Sequence, residues 1–395
     1  MDQRLIPETD DMKYSRIIMS LSPSATLQLS AKAKELKKSG RDIVSLTAGQ
    51  PDFPTPAPIT DAGIMAIQDG KTGYTASTGI PELKEAVAES YSIRRNIEWK
   101  PENVVVSCGA KHDLANLIRS AVNPGDRVLL PRPYWVSYPE MVKASGGIPV
   151  LPEKGIDPEE IVKAADHGAV GLLLNYPCNP SGYVPSDDEM NSIADAIADT
   201  DMWVISDDIY EDLVYIDGAA PHILDYRPEL SSRTAVVSGV SKTYAMTGWR
   251  IGYSLANIEW SRLSGILQAH STSNPCSISQ WAALAAVEGK ADKEKSEMYR
   301  SFRNRRDLIC SLLSDVESLQ FERPEGAFYV FPRLPAEPDT AKFCSELLEE
   351  EGLAVIPGSA FGAEGYIRLS FAASDDDIRE GVNRLKRFLR RRYNT

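Results

Sequence analysis

The chain has 395 residues of which 43% are hydrophobic, enough to bury a large core and to predict two lobes. Its 43 basic residues against 56 acidic ones leave a net charge of −13, which argues against nucleic acid as a partner and makes any anion site local. Five scattered cysteines without a CxxC pair, four dispersed histidines without HExxH spacing, and apolar runs as short as "VGLLL" argue against a disulfide framework, a metal site and a membrane span.

The opening "MDQRLIPETDDMKYSR" lacks the basic and apolar regions of a secretory signal, so a soluble cytoplasmic protein is expected. Next come a helix, "ATLQLSAKAKELKKSG", stopped by Gly40, and a strand, "DIVSL". The middle of the chain alternates short apolar strands with helical patterns. The strands are "NVVVS" (103–107), "RVLLP" (127–131), "VGLLLN" (170–175), "MWVIS" (202–206) and "TAVVS" (234–238). From about residue 300 the order is helix, "AFYVF", helix, "GLAVIP", "YIRLSF", helix, and the basic tail "RLKRFLRRRYNT" is expected to be a solvated last turn suited to the helix dipole. The expected fold is α/β: a large domain over 49–299 with a mostly parallel sheet sandwiched by helices, plus a smaller α+β domain built from 300–395 and part of the arm 1–48.

Ligands of open parallel sheets bind at the carboxyl ends of the strands. There the sequence places a glycine-opened helix start (Gly109, Ala110, Lys111), an aromatic plate (Trp135), an amide in "NPSG" (Asn179), a carboxylate (Asp207), a phenol (Tyr210), and the pair Ser241 and Lys242 with Arg250 beyond. Taken singly, Lys242 reads as a surface charge, Asp207 as the cap of a helix-like turn in "SDDIYEDL", Trp135 as core, Arg368 as an exposed strand residue and "NPSG" as a turn. Together the groups suit a phosphorylated aromatic aldehyde, pyridoxal 5′-phosphate. A lysine can form a Schiff base, a carboxylate can keep a ring nitrogen protonated, a tryptophan can stack, and an arginine at a helix start can hold the phosphate.

"LTAGQPDF", "YTASTGIPELKEAV", "PYWVSYPEMVKASGG", "NPSG", "SDDIYE", "SKTYAMTGWRIGY", "PEGAFYVFP" and "GYIRLSF" follow in order along nearly the whole chain. This series resembles the fold-type I, class I aminotransferases that depend on pyridoxal phosphate, closest to the bacterial aspartate aminotransferase branch. The resemblance implies Lys242 as the Schiff-base lysine and proton shuttle, Asp207 at the pyridine nitrogen, and Tyr210 and Asn179 at the ring hydroxyl. It further implies Trp135 as the stacking ring, and Arg250, Ser241 and the backbone of Gly109 to Lys111 at the phosphate. Tyr74 would reach that phosphate from a neighbouring subunit, which implies a homodimer with shared active sites. Arg368 would grip the substrate α-carboxylate with help from the Gly49 amide. Lys111 and Thr26 would meet the second carboxylate of aspartate or glutamate, with 2-oxoglutarate or oxaloacetate as the amino acceptor in a ping-pong exchange.

Two departures matter. Many relatives place a hydroxyl three residues before the lysine, where this chain has Gly239, so that contact is expected at Ser238 or Ser241. Ser22 stands where some relatives carry a basic residue, which bears on activity toward prephenate. The alternatives are a prephenate or aromatic aminotransferase, and a lyase or synthase that consumes one amino acid without an oxo acid.

Overall fold

The computed structural model describes residues 13–23, 25–152, 155–335 and 337–393. The opening residues 1–12, expected to carry no secretory signal, lie outside the described residues, as do Ser24 of the "PSAT" segment and the last two residues of the basic tail.

Among the described residues twelve strands form three sheets. They are β1 (Val44–Ser45), β2 (Val104–Ser107), β3 (Arg127–Leu129), β4 (Ile148–Val150), β5 (Ala169–Leu174), β6 (Trp203–Asp207), β7 (Thr234–Gly239), β8 (Gly252–Leu255), β9 (Tyr329–Val330), β10 (Leu353–Ala354), β11 (Ile356–Pro357) and β12 (Ile367–Ser370). The main sheet runs β2-β8-β7-β6-β5-β3-β4, parallel throughout except for β8, which is antiparallel to both neighbours. All five strands expected in the middle of the chain are present. The two not expected, β4 and β8, are short and begin next to glycines, so neither shows an apolar run long enough to stand out.

Side chains on a strand alternate between faces, and a parallel sheet covered on both faces buries each set. Here Leu172, Leu174, Val204 and Val236 pack into one core cluster, while Leu173, Ile205, Ala235 and Val237 pack into another across the sheet. A third cluster joins Val44 and Leu46 from the beginning of the chain to Phe302, Phe328, Phe343, Leu369 and Leu385. The sequence suggested "GLAVIP" as one strand. It is two: β10 pairs in parallel with β1, and β11 pairs antiparallel with β12, so the chain changes sheets at Val355.

The "SDDIYEDL" stretch also differs from expectation. It makes turns, with Glu211 N bonded to Asp208 O at 2.8 Å and Leu213 N to Tyr210 O at 2.8 Å, and Asp207 ends β6 where a helix cap was the local reading. The basic tail is less free than a solvated last turn. In the helix Asp375–Tyr393, Arg391 pairs with Glu350 and Arg392 with Glu337 and Glu346, which ties it to the helix Thr340–Glu351. No helix among the described residues is long and apolar enough to cross a membrane.

Gly252 on β8 lets the helix Ala110–Ala121 come close to the sheet, and Gly239 on β7 lets β7 lie close against β8. A Cβ on Gly252 would overlap the Ala110 nitrogen, and one on Gly239 would stand 2.9 Å from the Gly252 Cα. Gly239 is therefore a packing requirement here, whatever its effect on ligand contacts. Gly252→Ala is expected to cost about 1–3 kcal/mol through overpacking, whereas Gly248→Ala, with nothing within 4 Å of its Cβ, should stay within about 0.5 kcal/mol of the parent. Urea unfolding midpoints compare the two, and equal midpoints would refute the close approach.

Candidate active site

The carboxyl ends of β2, β5, β6 and β7 open on a cavity of about 690 Å³. Of the residues singled out in the sequence, Thr26, Gly49, Ala110, Lys111, Trp135, Asn179, Asp207, Tyr210, Ser241, Lys242, Arg250 and Arg368 all line it. Gly109 lies at its edge as the N-cap of the helix Ala110–Ala121. Tyr74 does not join them: it is 95% exposed and does not line the cavity.

Lys242 sits in the short helix Val240–Thr243 that follows β7, and its Nζ donates to the Gly49 carbonyl at 2.6 Å. Its tip faces the cavity while protein surrounds the rest. Burial and the Arg250 cation push its amine down to about 8, Arg368 and Lys111 add to the effect, and Asp207 opposes it.

Asp207 is buried. Its Oδ2 accepts from the Tyr138 hydroxyl at 2.6 Å and its Oδ1 from Ile209 N at 3.3 Å. Burial pushes the carboxyl up to about 6, with the Tyr138 bond, the Ile209 amide and Lys242 pulling the other way. Asn175 closes the far side, its Nδ2 donating to the Asp207 carbonyl at 2.8 Å while its Oδ1 accepts from Asn179 N at 2.9 Å.

Arg368 was, taken alone, an exposed strand residue, yet it is only 3% exposed. Its Nη1 donates to Asn179 Oδ1 at 2.9 Å, its Nη2 to the Thr47 carbonyl at 3.0 Å, and the guanidinium lies 4.3 Å from the Tyr329 ring centre. Nε is buried without a partner, and among the described residues no carboxylate pairs with this cation. A buried guanidinium with an open donor and no counter-ion is an arrangement that suits a carboxylate. Tyr210 exchanges a hydrogen bond of 2.8 Å with the hydroxyl of Tyr329, which ties both phenols to the same wall.

Arg250 adopts φ +58°, which turns its guanidinium back to donate to the Thr247 carbonyl at 2.9 Å and to Cys108 O at 3.2 Å. It thereby covers the start of the helix Ala110–Ala121, where Gly109 has φ +88° and a Cβ would stand 2.5 Å from Arg250 Nη2. Free backbone N–H groups, a helix dipole and a guanidinium converge there, an arrangement that suits a phosphate. Lys111 Nζ lies 4.6 Å from the Trp135 ring centre. Of the two serines considered near Gly239, Ser238 is committed elsewhere, donating to Glu211 Oε1 at 2.8 Å, so Ser241 alone faces the cavity.

Three wall residues escaped the sequence reading. Tyr138 and Tyr329 stood inside quoted motifs without assigned roles, and Asn175 was read only as the end of a strand. A larger cleft of about 1110 Å³ shares Tyr138 and Asn175 with this site but contains neither Lys242 nor Asp207.

Residues 41–385 match the family model described as "Aminotransferase class I and II". The chain is 39% identical over 390 residues to the aspartate aminotransferase of Bacillus subtilis, covering 96% of this chain and 99% of that one. The chain belongs to this aminotransferase family. It is also 39% identical over 392 residues to the aspartate/prephenate aminotransferase of Cereibacter sphaeroides, covering 95% of this chain and 98% of that one. The aspartate aminotransferase from Thermus thermophilus, solved with maleate, superposes with a TM-score of 0.91 at 38% identity, covering 96% of this chain and all of that one. The aminotransferase thus shares the fold of that relative over nearly its whole length, and its main sheet is the mostly parallel one expected, with β8 as an antiparallel strand the sequence did not reveal.

Burial and neighbouring cations disfavour the protonated amine, so the Lys242 amine of the ligand-free aminotransferase should be half neutral near pH 8, down from 10.5 for a free lysine. Acylation with acetic anhydride, followed by mass spectrometry of the Lys242 peptide across pH, measures this. Arg250→Met removes one cation, so the midpoint should rise; an unmoved or lowered midpoint would contradict the charge-crowding argument.

Proposed function

We propose that this aminotransferase exchanges an amino group between aspartate or glutamate and 2-oxoglutarate or oxaloacetate, with pyridoxal 5′-phosphate as cofactor. The observation that carries the reading is a cavity whose wall brings Lys111, Lys242, Arg250 and Arg368 together with Asp207 as its one carboxylate among the described residues.

The donor set fits that cofactor group by group. The amides behind Gly109, Ser241 and Arg250 would hold its phosphate, Trp135 its ring face, Asp207 its ring nitrogen, and Tyr210 and Asn179 its ring hydroxyl. When bound, the cofactor supplies an aldehyde carbon that takes up the amino group and a ring that delocalises the electron pair left at the substrate Cα. Lys242 is the base within reach: an amine held near 8 is partly neutral at physiological pH, so Nζ can accept the Cα proton and return it. Asp207, beside a cationic ring nitrogen, supplies the opposite charge that keeps that nitrogen protonated, an interaction that burial strengthens.

Arg368, with its open Nε, would take the substrate α-carboxylate, and Lys111 and Thr26, which line the same cavity, would meet the second carboxylate. Maleate is itself a dicarboxylate, and its presence with the Thermus thermophilus relative supports a two-carboxylate substrate. The aspartate/prephenate name of the Cereibacter sphaeroides relative keeps prephenate as a second amino acceptor. Because one site serves donor and acceptor in turn, the kinetics should be ping-pong. The fully extended exposure of Tyr74 supports a homodimer in which this phenol reaches the partner's phosphate site. Two lobes, 49–299 and the joined ends of the chain, would then frame the cavity.

Borohydride treatment should fix a phosphopyridoxyl group on Lys242 Nζ, seen by peptide mass spectrometry, and Lys242→Ala should show neither the adduct nor amino transfer. An unlabelled Lys242 in active protein would overturn the assignment. Lys111→Ala should raise KM for aspartate and glutamate about 10–100-fold, the worth of one charge-assisted bond, and leave KM for aliphatic amino acids within about threefold. A uniform loss across substrates would instead assign Lys111 to the phosphate.

A further inference from the structure

Asp207 can serve a cationic ring only while it is itself an anion, and its surroundings work against that. It is 5% exposed, and desolvation disfavours the charged form of a carboxyl. The groups facing it are few. Lys242 approaches from the helix after β7, Tyr138 from the helix Tyr138–Ala144, and Asp208 and Tyr210 follow on its own segment; Asp208, if charged, opposes a second negative charge beside it. The backbone contributes one long bond, from Ile209 N at 3.3 Å. Tyr138 contributes the short one, 2.6 Å to Oδ2.

Tyr138 is built to hold that bond. It is 2% exposed, its N–H donates to Trp135 O at 3.0 Å, and its ring meets Trp135 edge-on with centroids 5.4 Å apart. One turn of chain therefore delivers both the cavity's aromatic plate and the donor to Asp207. Burial and Asp207 hold the phenol well above its ordinary range, so it remains a donor at every pH at which the protein works.

We propose that Tyr138 is a positioning residue that keeps Asp207 ionised and aimed for a cationic ring nitrogen. This rests on the cofactor reading above. Removing the phenol oxygen leaves the desolvation of Asp207 in place without its strongest donor, so the carboxyl takes up a proton at higher pH. Cofactor affinity then begins to fall at higher pH than in the parent, because a protonated carboxyl cannot pair with the ring cation.

The test uses 4-deoxypyridoxine 5′-phosphate, which has the ring and phosphate but no aldehyde to react with Lys242. Its affinity for the full-length protein is measured by fluorescence between about pH 5 and pH 9, and the difference between proteins is read because the ligand phosphate titrates in the same window. Parent affinity should decline as pH falls through about 6. In Tyr138→Phe the decline should begin about one pH unit higher, with affinity near pH 8 within about threefold of the parent, since a charge-assisted hydrogen bond is worth about one unit or more. Site-specific 3-fluorotyrosine at position 138, a stronger donor of the same shape, should move the decline the opposite way, and it serves even if the phenylalanine variant folds poorly. A drop that is equal at every pH, or an unchanged midpoint in both variants, would overturn the proposal. Failure of the parent to bind the analogue at any pH would overturn the cofactor reading and this proposal with it.

Discussion

Lys111, Lys242, Arg250 and Arg368 share a cavity with Asp207, and like charges held this close in a poorly solvated space oppose one another's protonation. Guanidinium groups cannot give up their protons at any ordinary pH, so the lysine yields. Burial first, and then these cationic neighbours, bring Lys242 down to about 8. The same crowding makes the cavity a local sink for anions on a protein whose net charge is −13. A phosphate, an α-carboxylate and a side-chain carboxylate would each relieve part of it. The chemistry of the base and the choice of ligands thus follow from one electrostatic constraint.

Holding cations together against their repulsion requires a rigid wall. The segment that carries Asp207 and Tyr210 is fastened from behind by a buried ionic cluster. Arg95 faces Asp208 at 3.5 Å, Arg94 pairs with Glu211 at 3.1 Å, and Ser238 on β7 donates to the same Glu211. The charges are shared, Arg94 also meeting Asp212 and Arg95 also meeting Glu211 and Asp225, so the segment is held from several sides. From the opposite side Gly252 lets the helix Ala110–Ala121 press against the sheet, which carries its N-terminal amides to the Arg250 guanidinium. The departure at Gly239, which in the sequence looked like the loss of a ligand contact, is in the fold a condition for the close approach of β7 to Gly252 on β8.

Much of this was legible in one dimension. Each parallel strand is a short apolar run, and the residue types that bear chemistry follow those runs directly, so Asp207, Lys242, Asn179 and the Gly109 turn could be placed at one sheet edge from strand ends alone. The antiparallel β8, the division of "GLAVIP" between two sheets and the clamping of the basic tail could not be, because a four-residue strand, a change of partner at Val355 and an ion pair between helices have no local period.

The sequence by itself determined which chemical groups stand at the strand ends, since strand propensity and motif order are properties of neighbours in the chain. Only the tertiary structure decided how those groups are tuned. The hydrogen bond from Tyr138 to Asp207 spans 69 positions, that between Tyr210 and Tyr329 spans 119, and Arg368 reaches Asn179 across 189. Such bonds depend on strand register and on how separate cores pack together, and burial, which shifts the proton affinities of Asp207 and Lys242, exists only once that packing is complete.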